Sequence, residues 1–423
     1  MVMESLFAVV NIFWVARLGS AAAAAIGLTE SLLAIIYTVA MGLSIGVMAV
    51  VARRMGEHDE EGASEAAFQT IVLGVLIAAI LGIGGGLGAK SLLRLMGADA
   101  EVLSVGSGYA TIMLAGNGVI LLLFLLNAAF RGAADAAIAM RVLWIANIIN
   151  MLLDPCLIFG LGPFPELGVT GSAIATTIGR GTGVLIQLAV LFSGAGRLKL
   201  AARHVRIHAT VMLRVLRLSA TGTLQVFIGT ASWIGLIRVL STFGSDALAG
   251  YTIAIRIVLF ALLPAWGLAN ASATMVGQSL GAGKPDRAEQ SVWIAGALNL
   301  VLLGTVGLVF IIAAPFITTL FGGNEATTAH AIRCLRIVSS GFFFYAYGMV
   351  LSNSFNGAGD TRTPTLLNFF CFWLWEIPIA WVLSRQMDFG PTGVFVAIMI
   401  VFSTFAIAAA VLWRRGKWKL VTV

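Results

Sequence analysis

The chain has 423 residues, of which 59% are hydrophobic and 11% are charged, and its formal net charge is +7. A soluble domain carries about 25% charged residues, so this composition excludes a soluble globular protein and indicates a membrane protein. The basic excess follows particular loops rather than one face of a domain, so it excludes nucleic acid as a partner.

Apolar runs along the chain predict an all-α polytopic fold, because about 20 apolar residues span a bilayer. The runs are separated by short polar or glycine-containing turns, which gives a count of twelve transmembrane helices. The predicted helices cover about 1–18, 24–52, 66–89, 102–128, 138–160, 169–193, 213–243, 247–277, 289–319, 331–356, 363–384 and 391–413.

The first apolar stretch, residues 1–18, carries Glu4 and has no basic leading segment and no small-residue cleavage site. It therefore predicts a first helix, shortened at its start, rather than a signal peptide. Only three cysteines occur and they lie far apart, so neither a disulfide framework nor a metal site is expected.

Most of the 26 basic residues fall in one set of alternate loops. The positive-inside rule then places both termini in the cytoplasm of a multi-pass protein in the cytoplasmic (inner or plasma) membrane. The segment 196–212 predicts a basic cytoplasmic linker between an N-terminal six-helix lobe, 1–195, and a C-terminal six-helix lobe, 213–423. Apolar residues interleave with its cations, so it either lies on the anionic leaflet or serves topology alone.

The two halves repeat each other at a constant spacing. Gly132-Ala133-x-Asp135 recurs 225 residues later as Gly357-Ala358-x-Asp360, and Gly19-Ser20 recurs as Gly244-Ser245 at the same offset. Six helices per half is an even number, so the two repeats are parallel and related by an axis along the membrane normal. Such a duplication is typical of transporters, in which two similar lobes move about a shared site.

The residues that could carry chemistry lie inside the membrane. Asn147, Asn150 and Asp154 stand at i, i+3 and i+7, so they share one face of the fifth helix. A charge at a helix centre costs about 2.5–3.5 kcal/mol on insertion scales, which makes Asp154 a candidate functional group. Pro155 removes the backbone donor that would satisfy the Met151 carbonyl. This face predicts a site for a proton or a small cation.

Glu376 is a possible second acid, followed within a turn by Pro378 in the other half of the chain. Both acids also have a structural interpretation. Asp154 could pair with a membrane arginine such as Arg180, and Glu376 could pair with Arg385 or reach the interface.

Amide, methionine and aromatic side chains at helical spacing are candidates to line a cavity for organic cations, although packing is the simpler interpretation for most of them. The candidates are Asn11, Met41, Met113, Asn147, Gln225, Phe260 and Tyr345.

No catalytic pattern is present: the sequence has no Gly-x-Ser-x-Gly, no phosphate loop and no paired histidines at helical spacing. The glycine cluster 82–88 lies at the end of an apolar helix without a preceding strand, so it indicates close helix packing rather than a nucleotide site. The sequence predicts a protein that is not an enzyme and has no cofactor.

Several of these segments together resemble the MATE (multidrug and toxic compound extrusion) family. They are Phe13-Trp14-Val15-Ala16-Arg17-Leu18-Gly19, Val51-Ala52-Arg53-Arg54-Met55-Gly56, Phe130-Arg131-Gly132-Ala133-Ala134-Asp135 and Asn150-x-x-x-Asp154-Pro155. The resemblance covers essentially the whole chain. It implies twelve helices in a V-shaped, two-lobed bundle and export of organic, often cationic compounds in exchange for H⁺ or Na⁺.

By position, the resemblance makes Asp154 and Asn150 the cation-coupling pair of the first lobe, with Tyr109 and Thr176 as neighbours. The family's first-helix acid falls at Asn11 here. The acids that a sodium site in the second lobe would need fall at Gln225 and near Tyr345. H⁺ is therefore the favoured coupling ion, with Na⁺ as the alternative.

The expected partners are small organic substrates and the lipid bilayer, and the expected state is a monomer. The sequence leaves two other functions open. A flippase for a lipid-linked precursor would want two further helices and a strongly basic cavity, and a polytopic membrane enzyme would need clustered histidines or acids at one membrane face.

Overall fold

The computed structural model describes residues 13–422, and within that range every regular element is helical. Residues 1–12 and 423 lie outside the described part of the chain, and with them most of the predicted first helix and Asn11. The end of that predicted helix is visible as helical residues 13–15 and a 3₁₀ turn, Ala16–Leu18. Ser20 then begins the first long helix.

The described residues form two compact units, the first ending at Ser219 and the second beginning at Ala220. The helices of the first unit are α1 (Ser20–Gly56), α2 (Glu60–Leu95), α3 (Ala100–Ala115), α4 (Asn117–Gly132), α5 (Ala136–Phe159) and α6 (Gly168–Ser193).

Helix α7 (Ala209–Leu240) begins in the first unit and ends in the second. The remaining helices are α8 (Ser245–Gly281), α9 (Pro285–Thr319), α10 (Glu325–Ser340), α11 (Phe342–Gly357), α12 (Arg362–Asn368), α13 (Glu376–Trp381) and α14 (Pro391–Arg414). Two π-helical segments, Phe369–Trp375 and Val382–Gln386, flank α13.

The all-α membrane fold predicted from the sequence is confirmed. The helices long and apolar enough to cross a membrane number ten in the described chain, or eleven with the bent pair α10–α11 counted as one span. Several extend beyond the predicted ends because polar caps continue them past the apolar core. The Asp59 and Asp99 carboxylates accept from the backbone N–H groups of Gly62 and Val102, which begins α2 and α3.

Two spans that hydropathy predicts as single helices are interrupted by a glycine. The first breaks at Gly116, between α3 and α4, and the second at Gly341, where α10 and α11 are bent by 57°. Gly116 and Gly341 are equivalent positions of the internal repeat. At the first break the Asn117 amide donates to the carbonyls of Leu114 (2.7 Å) and Ala78 (3.2 Å), and the equivalent position of the second break is Phe342.

Small residues set the helix spacing, as in other membrane bundles. A Cβ built at Gly82 would lie 2.9 Å from the Ala115 carbonyl, and one at Gly86 would lie 3.0 Å from the Ala115 side chain. The glycine-rich end of α2 therefore packs directly on α3. Glycines also allow close packing of α6 on α5, which positions the candidate site.

Candidate functional site in the first unit

Helix α5 buries the polar face that the sequence predicts. Asp154 is 0% exposed and Asn150 is 2% exposed, and Asn147 is buried one turn away. Pro155 lies inside the helix, so the Met151 carbonyl lacks its usual helical donor. The face thus combines one carboxylate, two side-chain amides and a backbone carbonyl, all of which are oxygen ligands.

Glycines of α6 bring its backbone against this face. A Cβ at Gly179 would lie 2.7 Å from the Ala146 carbonyl and 2.9 Å from the Asn150 Cβ. A Cβ at Gly171 would lie 2.3 Å from the Leu157 carbonyl, which shows that the two helices run antiparallel in close contact. Only glycine fits at these positions, so the sequence of α6 fixes how tightly the site is enclosed.

The Asn150 side chain has no protein partner for either of its amide atoms among the described residues. Buried polar atoms in native structures are nearly always hydrogen-bonded, so a buried amide without a partner needs an explanation. A ligand that binds and leaves beside Asp154 would explain this amide, because the Asn150 oxygen can accept a hydrogen bond from such a ligand or coordinate it.

Tyr109 and Thr176, the expected neighbours, are also buried in this unit. Tyr109 on α3 lies within electrostatic range of Asp154 and of Arg180. The antiparallel contacts of α5 and α6 place Thr176 level with the turn between Asn150 and Asp154. The structure therefore brings the four predicted coupling residues to one region of the first unit, and their role stays a prediction.

One acid in this region was missed by the sequence analysis. Glu30 on α1 lies within electrostatic range of Arg180 and Tyr109. The Arg180 guanidinium lies 5.6 Å from the centre of the Tyr37 ring. Tyr37 belongs to α1, the helix that also carries Glu30. The available signal was position, because Glu30 stands inside a 37-residue apolar helix and within the predicted helix 24–52.

Glu376 lies in the second unit, in α13 between the two π segments, and is 3% exposed. Tyr251 and Tyr345 lie within its electrostatic range. The predicted alternative, an ion pair with Arg385, is not formed among the described residues, because the Arg385 guanidinium lies 6.0 Å from the Phe243 ring instead. Glu376 is therefore a buried acid of the second unit that has no ion pair with Arg385 among the described residues.

The remaining cavity candidates belong to both units and have different surroundings. Met113 lines a small crevice with Thr176 and Arg180, and so joins the first-unit cluster. Gln225 is buried, and its backbone carbonyl accepts from the Asn368 side-chain amide at 3.3 Å. Tyr345 stacks on Phe402 at 4.1 Å. Met41 and Phe260 are exposed.

The donor set of the first-unit cluster suits a proton or a monovalent cation better than a transition metal. Within residues 13–422 no group of three or more histidine, cysteine, aspartate or glutamate side chains is arranged to hold a metal ion. A single buried carboxylate with oxygen neighbours can bind and release one positive charge, and this is the chemistry that the arrangement offers.

A protein-family model matches most of the chain. The family model MatE matches residues 1–156 and 222–382, which is well over half of the chain.

Curated relatives match nearly end to end. The "Probable multidrug resistance protein YoeA" of Bacillus subtilis is 26% identical over 95% of this chain and 88% of its own length. The "Probable multidrug resistance protein NorM" of Thermotoga maritima is 22% identical over 99% of this chain and 90% of its own. A "FAD transporter" of Shewanella oneidensis is 24% identical over 97% of this chain and 90% of its own.

Solved structures agree with the curated relatives. A multidrug resistance MATE family transporter of the MOP superfamily, in an outward-facing conformation, matches with a TM-score of 0.91 and 26% identity over 99% of this chain and 92% of that one. A MOP superfamily transporter from Pyrococcus furiosus, described as having a binding pocket of reverse polarity, matches equally well over 93% of its chain.

Proposed function

This chain belongs to the MatE family of multidrug efflux transporters, and from this premise we propose that it is a secondary active antiporter. It exports small organic, often cationic compounds across the cytoplasmic membrane in exchange for H⁺. The observation that carries the proposal is Asp154, a fully buried acid inside a transmembrane helix beside the partnerless amide of Asn150. Intramembrane acids are rare and mark ion pathways.

The proposal favours H⁺ over Na⁺ because one carboxylate dominates the predicted coupling face. Intramembrane acids form proton relays in pumps and transporters, and a single carboxylate is enough to hold one proton. Sodium would need several oxygen ligands around a carboxylate that stays ionised. Asn150, Thr176 and the Met151 carbonyl are the oxygens that would serve if Na⁺ were the ion.

Coupling follows from competition for one charge. An ionised Asp154 attracts a cationic substrate, and protonation of Asp154 removes that attraction. Because each ligand lowers the affinity for the other, proton entry and substrate exit are thermodynamically linked. Protonation would also alter the packing of α5 at Pro155, where the helix already lacks one backbone hydrogen bond.

The test is transport of a fluorescent cation, ethidium, in proteoliposomes with pH and Na⁺ gradients imposed separately. The wild type should respond to the pH gradient, and Asp154→Asn should not. The matched control is Asp286→Asn, whose side chain is fully exposed at the start of α9. Transport by Asp154→Asn at the wild-type rate, or a response to Na⁺ alone at clamped pH, would overturn the proposal.

Substrate charge is tested in the same vesicles. Ethidium and a flavin dinucleotide are compared, because one relative carries the name FAD transporter. Net export of the cation but not of the flavin is the expected result. We further propose a monomer without a cofactor, with both termini in the cytoplasm and no nucleic-acid partner. The family consists of transporters, which leaves the membrane-enzyme alternative without support.

A further inference from the structure

A cavity in the second unit is lined by none of the acids Asp154, Glu30 and Glu376. This cavity of about 380 Å³ opens where α11 ends, α12 begins and α14 ends. Its walls include Asp360, Leu366, Phe370, Arg415 and Lys417. Ligand sites in proteins have volumes of about 300–1,000 Å³, so this space is large enough to hold part of an organic molecule.

The cavity has one cationic rim. Arg415 and Lys417 are exposed, and neither side chain has an ion-pair or hydrogen-bond partner in the described part of the chain. Asp360 lines the same space but forms an ion pair with neither of them among the described residues; its two carboxylate oxygens accept from the Thr363 N–H (3.1 Å) and hydroxyl (2.6 Å). The rim therefore offers two unsatisfied positive charges to an incoming anion.

The opposite wall is apolar and belongs to a membrane-spanning segment. Leu366 and Phe370 are four residues apart and are 68% and 53% exposed. At that spacing they lie on one side of the segment, one turn above the other. An alkyl chain can lie along these two side chains while an anionic group reaches the rim.

The chain after α14 is fixed so that the rim cations face the cavity. Gly416 adopts the left-handed conformation with φ 71°, which reverses the chain direction. Trp418 is fully buried and stacks on Trp413 at 3.9 Å. The Lys419 ammonium lies 2.6 Å from Glu289, so it is held outside the cavity that Lys417 lines.

The first unit contains the same turn in a closed form, which serves as an internal comparison. Asp135 is the repeat equivalent of Asp360. Its carboxylate accepts from the Arg197 backbone N–H at 2.6 Å, and a Cβ at Gly196 would lie 3.1 Å from the same oxygen. The chain itself fills this place in the first unit, whereas the second unit leaves it open.

We propose that this cavity is a binding site for an anionic phospholipid, with the headgroup phosphate between Arg415 and Lys417 and one acyl chain along Leu366 and Phe370. The occupant is a membrane lipid rather than a soluble anion, because the apolar wall continues into a span and stays exposed. Basic side chains near a membrane surface attract anionic lipids. The site is independent of the proposed proton coupling at Asp154.

The test measures phosphatidylglycerol binding to the detergent-solubilised protein by native mass spectrometry. Phosphatidylcholine with the same acyl chains serves as the zwitterionic comparison. The double variant Arg415→Gln/Lys417→Gln should bind phosphatidylglycerol about 30-fold more weakly, since each basic residue near an anionic lipid is worth about fivefold. Leu366→Gln should also weaken binding, without any change in charge.

The matched control is Arg414→Gln/Lys419→Gln, which removes two charges from the same segment. These two side chains face Trp293 and Glu289 rather than the cavity, so binding should stay within about threefold of wild type. Equal losses in both double variants, or equal binding of the two lipids by the wild type, would overturn the site. Complete displacement of the lipid by glycerol 3-phosphate would overturn the lipid as its occupant. The single variant Lys417→Gln repeats the test if the double variant does not fold.

Discussion

Gly179 of α6 lies so close to Asn150 of α5 that no other residue fits between the two helices. A Cβ at Gly179 would be 2.9 Å from the Asn150 Cβ and 2.7 Å from the Ala146 carbonyl oxygen. The enclosure of the predicted coupling face therefore depends on a residue that carries no side chain. This dependence can be measured separately from the chemistry of Asp154.

Gly179→Ala should force α5 and α6 apart and destabilise the protein by about 1–3 kcal/mol, as overpacking does in other well-packed interiors. The control is Gly181→Ala on the same helix, where the new Cβ would meet only Val119 at 3.7 Å. Thermal unfolding in detergent should show a lower midpoint for Gly179→Ala and no loss for Gly181→Ala. Equal unfolding midpoints for the two variants would show that α5 and α6 can accommodate a methyl group at Gly179.

Asn150→Leu should separate stability from function. The substitution replaces a buried amide without a partner by an apolar group of similar size, so stability should be unchanged or higher. Gradient-driven transport should fall, because an oxygen beside Asp154 is lost. Asn117→Leu is the contrasting variant: its amide donates two hydrogen bonds, and removing them should cost about 1–3 kcal/mol. Normal transport by Asn150→Leu would remove this amide from the coupling site.

Glu61→Ala should loosen the basic segment 196–212, which leads into α7. Glu61 on α2 binds Arg203 and lies 2.6 Å from the His204 Nε2. Cleavage by trypsin between residues 197 and 206 should become about two- to fivefold faster, the range expected for an exposed ion pair. Glu60→Ala, one residue earlier and exposed, should cleave at the wild-type rate. The same acceleration in both variants would assign the effect to charge rather than to this contact.

Reporter fusions test the predicted topology. Fusions after Arg54, Ala202 and Arg415 should report the cytoplasm, because these positions belong to the basic set of loops. Fusions after Ala98 and Gly323 should report the opposite side. A reporter after Ala202 that is detected outside the cell would contradict the parallel arrangement of two six-helix repeats.

The sequence predicted the fold well because the signals for it are long and redundant. Uncharged runs fix where a chain crosses a membrane, and motifs such as Gly132 to Asp135 and Gly357 to Asp360 reveal a duplication by their spacing. The helical period placed Asn147, Asn150 and Asp154 on one face, and all three are buried in the structure. Their proposed role in coupling stays a prediction.

The features that escaped prediction depend on tertiary contacts or on a single position. Hydropathy is continuous through Gly116 and Gly341, so it cannot show that a helix stops there; their equivalence in the repeat was the available signal. The π segments around Glu376 likewise leave the apolar pattern intact. Glu30 was overlooked because it stands near the start of the predicted helix 24–52, where a single acid is common, although the helix begins earlier, at Ser20.

The duplicated glycine breaks have a mechanical consequence. In the first repeat the Asn117 amide, just after Gly116, donates to the carbonyl of Leu114 before the break and to that of Ala78 on α2, and α3 and α4 together count as one span. The second repeat has Phe342 at that position, which offers no such tie, and its span is bent by 57°. The repeated span thus stays one continuous crossing in the first copy and is bent in the second. Under lateral tension in the bilayer, the second repeat is the one that should flex first.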